Sequence, residues 1–204
     1  MSYFRFFLII TLPLWASCSL FETKTPLEKS YLTGEGVAPN IKLEDVQKAL
    51  TRSNLVGLGT FRTHIYPITP AITALGPKLL TKTQANSSCF QMEISVIGEI
   101  KAALLEFWQL RLQDKNGEFY DLKFTEEDLK KSPSKTLVNA YWGKQKNYHN
   151  KGIACVGHII DWKDGFIVTI DPKEMPWLMH QKIAFKWTID PAEKVINYQD
   201  YRRY

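Results

Sequence analysis

Trp108-Gln-Leu-Arg-Leu-Gln-Asp-Lys-Asn-Gly-Glu-Phe-Tyr-Asp-Leu-Lys-Phe124 decides the fold class. Trp108, Leu110 and Leu112 alternate with Gln109, Arg111 and Gln113, the period of a strand with one buried face. Asp114-Lys-Asn-Gly117 interrupts the alternation, and its Asn116-Gly117 step accommodates the positive φ of a tight turn. Tyr120, Leu122 and Phe124 then return on one face, opposite Asp121 and Lys123. The stretch is an antiparallel hairpin with an apolar side.

The same period recurs on both sides of it. Phe90, Met92, Ile94 and Val96 point one way, which turns Cys89 to the other face. Ile183, Phe185, Trp187 and Ile189 alternate with Lys182, Ala184, Lys186 and Thr188. Leu137 to Trp142 reads as a short strand, and Val56 to Ile65 as a broken one. Ile153–Ile160 and Phe166–Ile170 flank Asp161-Trp-Lys-Asp-Gly165 as a second hairpin. Tyr66 to Lys78 contains Pro67, Pro70 and Pro77 and reads as a loop or sheet edge, because proline removes a ladder donor. Seven or so short strands separated by turns predict a mainly β fold, an antiparallel β-sandwich. One or two short helices accompany it. One runs over Leu43, Val46 and Leu50 with Asn40 as cap, and one is a turn capped by Thr125. Thr169-Ile-Asp-Pro-Lys-Glu174 and Thr188-Ile-Asp-Pro-Ala-Glu193 repeat one local device, a strand ending at Asp with proline at the first helical position.

The N-terminus carries a different signal. Phe6 to Trp15 is an apolar run of about ten residues behind Arg5, half of what a membrane span needs and the size of a signal-peptide core. Ala16-Ser17-Cys18 follows, and with it the leader resembles the lipobox of bacterial lipoproteins, although Trp15 stands where that family usually has Leu. The resemblance covers residues 1–19 only. It implies acylation of Cys18, several chains making a durable membrane anchor. Ser19 stands where the family's inner-membrane retention signal would place Asp, which implies an outer-membrane protein facing the periplasm. Ordinary secretory cleavage near Ala16–Ser19, with a soluble product, is the alternative. The expected organisation is a signal peptide over 1–17, a lipidated flexible tether over 18–40 and a single β-sandwich domain over 41–204.

With Cys18 used by lipid, Cys89 and Cys155 remain as a disulfide candidate in an oxidising compartment, or as two buried thiols. The order Cys89, Trp108, Cys155 is similar to that of immunoglobulin domains in architecture alone, since Ile153 stands where that family has its tyrosine. The chain has a formal net charge of +5, with Lys and Arg interspersed among Asp and Glu, a balance that fits a solvated surface. Nucleic acid is not an expected partner.

No nucleophile elbow, His-Glu-x-x-His helix or phosphate-cradling glycine loop occurs in the sequence. His158 with Asp161 and Asp164 flanks a turn, a poor spacing for a closed metal site. No enzyme activity, cofactor, metal or small-molecule substrate is expected. The partner-binding candidates are aromatic and cationic. Tyr141, Trp142, Lys144, Lys146 and Tyr148 lie in an expected loop running to Lys151, and Tyr201, Arg202, Arg203 and Tyr204 lie in the tail. The expected role is a non-enzymatic structural component of a cell-envelope complex such as a secretion system, contacting other envelope proteins. A binding module for cell-wall glycan or another polymer, working through the Trp142–Lys151 loop, is the alternative.

Overall fold

The computed structural model describes residues 29–34, 40–56, 60–82, 84–140, 143–173 and 183–187. Nine strands dominate: β1 (Arg52–Val56), β2 (Phe61–Ile68), β3 (Ser88–Ile97), β4 (Trp108–Gln113), β5 (Phe119–Phe124), β6 (Ser134–Ala140), β7 (Gly143–Val156), β8 (Phe166–Pro172) and β9 (Ile183–Trp187). Among the described residues four short α-helices join them: α1 (Lys29–Thr33), α2 (Leu43–Leu50), α3 (Pro70–Leu75) and α4 (Glu126–Lys130). All pairings are antiparallel, in the order β1-β2-β3-β7-β5-β4-β8-β9, with β6 on the free side of β7. The sheet curls almost closed. Its two end strands meet where Arg52 Nε–H of β1 donates to Lys186 O of β9 at 3.3 Å, and beside it Trp187 Nε1–H donates to Leu50 O at the end of α2 at 2.7 Å. The Arg52 guanidinium also sits over the Trp187 ring.

The expected hairpin is present. Leu110 pairs with Leu122, Gly117 has φ +84°, and Asp114 Oδ1 accepts from the N–H of Asn116 and of Glu118. Within β3, Phe90, Met92, Ile94 and Val96 face the core as the alternation requires. The interior they join is aromatic. Phe61 stacks on Trp108, while Phe90, Trp162, Phe166 and Trp187 form one cluster with centroids 5.1–6.0 Å apart. Trp108 Nε1–H is satisfied by Ala102 O at 2.9 Å, so the ring is buried without an orphaned donor.

Cys89 and Cys155 are opposite one another on β3 and β7 and form a disulfide. Parity does turn Cys89 away from the core face, as the alternation predicts, yet it is fully buried. The connection before β3 covers it, with Gln84 O and Ser87 O within 3.8 Å of its sulfur.

Several expectations are corrected. The stretch expected as a loop from Tyr66 begins inside β2, which is not an edge strand. Proline is tolerated because the β1 ladder ends at Ile65, so Pro67 has β3 on one side and no β1 partner on the other. Pro70 then opens α3, capped by Thr69. Ile153–Ile160 and Phe166–Ile170 do not form a hairpin: β7 pairs with β3, β5 and β6, whereas β8 pairs with β4 and β9. The chain between them is pinned to β3, since Ser88 N–H donates to His158 O and Ile160 N–H to Ser88 Oγ, and it crosses to the other side of the core. Asn40 does not cap α2, which starts after Lys42 without a side-chain cap, although Val46 and Leu50 are buried as expected. Pro172 closes β8 opposite Trp108 and is not a first helical residue. The Thr188–Glu193 copy lies outside the described residues.

The expected tether over 18–40 contains α1, where Leu32 is fully buried and Thr69 Oγ1–H donates to Tyr31 O at 2.7 Å. Tyr31 and Leu32 therefore attach this part of the chain to the body by packing. Cys18 and the leader lie outside the described residues.

Candidate functional site

The stretch expected to be a surface loop, Gly143 to Lys151, is the first part of β7. β3 accompanies β7 only as far as Ile97↔Asn147. The β6–β7 ladder continues through Leu137↔Lys146, Val138↔Gln145, Asn139↔Lys144 and Ala140↔Gly143. At about 3.3 Å per residue this arm projects roughly 13 Å beyond β3. Tyr141 and Trp142, like Tyr201, Arg202, Arg203 and Tyr204, lie outside the described residues. Lys144, Lys146 and Tyr148 alternate along the arm on the face of Lys135 and Leu137, and Leu137 is 73% exposed. Tyr148 packs partly against the core.

The opposite parity of β7 belongs to a different surface. Asn147, His149 and Lys151 turn outward, level with Ser95 and Glu93 of β3 and with Arg62 and His64 of β2. Period-2 alternation builds this face from the same strands that bury Ile65, Met92 and Ile94 on the other side. A cavity of about 450 Å³ opens there, lined by Arg62, His64, Glu93, Lys131, His149 and Lys151 together with the hydroxyls of Ser95, Ser132 and Ser134. It adjoins a second, more open hollow of about 740 Å³, and His64, Glu93 and Lys151 line both. The second hollow reaches Gln47 and Lys48 of α2 and Ser53 of β1. The result is a trough across four neighbouring strands, walled by α2 at one end and by the α4–β6 connection at the other.

Hydrogen bonds hold its polar groups in place. Ser95 Oγ–H donates to Asn147 Oδ1 at 3.0 Å, and Asn147 Nδ2–H reaches His149 Nε2 at 3.0 Å, which Thr136 Oγ1 also approaches at 3.2 Å. An amide N–H only donates, so toward Asn147 the His149 Nε2 is the acceptor. His64 Nδ1 meets Ser53 Oγ at 2.6 Å across the β1–β2 ladder. Its pKa lies below the ordinary histidine value, first because the ring is partly buried and second because Arg62 stands beside it; Glu93 opposes both. Tyr66, whose hydroxyl accepts from Gln47 Nε2, is pushed up to about 12 by burial and by Glu93.

Elsewhere, His158 lies edge-on to Tyr120 and Asp164 pairs with Lys115 at 2.5 Å, so these turn residues are used against one another. Among the described residues, no three His, Cys, Asp or Glu side chains gather as a metal site would require.

The trough was not visible in the sequence as a site, because its groups come from several separate segments. One signal was available: from Leu129 to Ile160 the chain carries Lys130, Lys131, Lys135, Lys144, Lys146 and Lys151 and no Asp or Glu. This local imbalance is diluted in the overall composition.

No protein-family model, curated protein or solved structure matches the chain.

Proposed function

We propose that the chain is a non-enzymatic, lipid-anchored component of a cell-envelope complex such as a secretion system, exported and held at the outer membrane through Cys18. What carries this reading is the β6–β7 arm. It is a projecting two-stranded ladder with an exposed leucine and three lysines, attached to a disulfide-braced body. Among the described residues β6 pairs only with β7, so its outer edge offers main-chain donors and acceptors to a neighbouring protein. The lipobox-like leader supplies the anchor in this reading. The way His64 and His149 are used supports the non-enzymatic part, since each is held in a cross-strand hydrogen bond to a hydroxyl. The immunoglobulin-like, two-layer description belongs to the same reading. Its support is β5, which pairs with β4 up to Leu122 and with β7 from Lys123.

Detergent extraction of native membranes, pull-down and mass spectrometry test the assembly role. Envelope proteins recovered with the intact chain and lost on Leu137→Asp are the expected result. Intact mass showing an unacylated terminus or a retained leader overturns the anchor.

A second reading, a binding module for a cell-wall glycan or another polymer, is favoured by the polar trough. The residues that would carry it are His149 and Lys151 with their β2 and β3 neighbours, in place of the Trp142–Lys151 loop. Co-sedimentation of the chain with purified envelope polymer tests it, and absence of the chain from the pellet rejects it.

A further inference from the structure

We propose that the trough on the outer face of β2, β3 and β7 binds the phosphate groups of a phosphorylated glycan, with Arg62, Lys131 and Lys151 as the charge-bearing contacts. The inference rests on the polymer-binding reading and names its ligand chemistry.

Three observations carry it. The first is uncompensated charge. Arg62, Lys131 and Lys151 line one cavity with Glu93 as its single carboxylate, and Lys48 extends the cationic side along the trough. Among the described residues the close ion pairs are Arg111–Asp121, Lys115–Asp164 and Lys130–Glu126, all outside this cavity. Like charges gathered in a concave site focus the field on whatever enters it. The second is the donor set. Ser132 adds a hydroxyl to the three cationic heads, while Ser95 and Ser134, whose hydrogens go to Asn147 Oδ1 and His149 O, stiffen the wall; N–H donors from three separate side chains suit the three oxygens of a phosphate group better than the two of a carboxylate. The third is shape. Four strands at about 4.8 Å spacing give the trough a length near 15 Å, much more than one phosphate fills. The hollow beyond His64 offers Gln47, Ser53 and Gln91 to sugar hydroxyls. Among the described lining residues the one aromatic ring besides the histidines is Tyr66, which is buried, so recognition is ionic and polar without ring stacking. A recessed, walled trough admits a chain, whereas the flat surface of a bilayer meets protruding cations.

His64 adds a pH signature. Its Nδ1 meets Ser53 Oγ of β1, and it shares the trough with Arg62 and Tyr66 on its own strand, Glu93 on β3, His149 and Lys151 on β7, Lys131 after α4 and Lys48 on α2. An anion beside the ring offsets the cations and draws a proton onto it, so binding strengthens as pH falls.

The test is titration of the folded chain with mannose 6-phosphate, inorganic phosphate, mannose and phosphatidylglycerol vesicles, followed by calorimetry and amide chemical shifts. The expected order is mannose 6-phosphate above inorganic phosphate, with mannose and vesicles silent and shifts confined to β2, β3 and β7. Arg62→Gln with Lys151→Gln, both exposed positions, should weaken mannose 6-phosphate binding about tenfold or more with thermal unfolding unchanged. Sulfate, whose charge is constant over the range, should bind about threefold tighter at pH 5.5 than at 7.5, and His64→Gln should flatten that dependence. Equal affinity for mannose, binding by vesicles alone, or full affinity in the double variant overturns the proposal. If the double variant still sediments with envelope polymer, the polymer reading survives without this site. If mannose 6-phosphate binds as expected and no polymer sediments, the site survives and the polymer reading falls.

Discussion

The body around Phe90 and the β6–β7 arm share one strand, β7, but are held by different forces. In the body, β7 lies between β3 and β5, buries Gly152, Ala154 and Val156, and is fixed to β3 by the disulfide. In the arm, the same strand has one partner and exposes both faces, so ladder hydrogen bonds and turn geometry are what define it. Burial therefore sets the stability of the molecule, and the arm is free to carry lysines and an exposed leucine because little depends on them. Local opening should be costly in the body and cheap at the arm.

The largest effect should come from the point where the curled sheet meets itself. Trp187→Ala removes a fully buried indole and leaves Leu50 O without its donor. It should cost about 5 kcal/mol in denaturant unfolding. Leu137→Ala on the arm should change stability by less than about 0.5 kcal/mol. Comparable costs for the two would dissolve the distinction between body and arm. Next is the disulfide. Replacing Cys89 and Cys155 together by Ala opens a loop of sequence separation 66. The chain-entropy model gives a loss of about 4 kcal/mol. Hydrogen exchange should then show the C-terminal half of β7 loosening toward the behaviour of the arm. Smaller is Gly152→Ala, where a Cβ would sit 2.6 Å from Leu105 Cδ1. Overpacking there should cost about 1–3 kcal/mol. Gly143→Ala, at the arm with open space around it but φ +98°, isolates the backbone contribution for contrast. The smallest effect is pH-dependent. The His64 pKa is lowered on folding, so the folded chain favours the neutral ring. Its contribution is fully present above the unfolded value near 6.5 and is lost as pH falls below it. The unfolding midpoint should drop between pH 7 and 5, and His64→Gln should remove that part of the slope. A proton NMR titration of the ring giving a value at or above 6.5 would contradict the assignment.

Much of the fold could be read along the chain wherever one face of a strand is buried. The Trp108–Phe124 hairpin, the inward set of β3 and the Thr125 cap are local or period-2 features, and each is present. Pairing between distant segments was not readable. Ile153–Ile160 and Phe166–Ile170 carry the pattern of a hairpin, yet a pattern states which side chains are inward and not which strand lies alongside. The arm was misread for a related reason. Gly143 to Lys146 has no apolar alternation, because β3 does not reach it and neither of its faces packs on the core. The trough combines Arg62 and His64, Glu93 and Ser95, and Lys131 to Lys151. Within each segment these are ordinary polar positions of a half-buried strand.

By itself, the sequence determined that the chain would form antiparallel strands with an aromatic interior, since side-chain alternation and turn residues act over a few bonds. It left Cys89 and Cys155 open between a disulfide and two buried thiols. The tertiary structure alone decided that β7 would stand between β3 and β5, that the sheet would curl until Trp187 meets Leu50, and that lysines from separate segments would share one trough. Those outcomes depend on which surfaces pack together, and the free energy of packing belongs to pairs of segments rather than to any one of them.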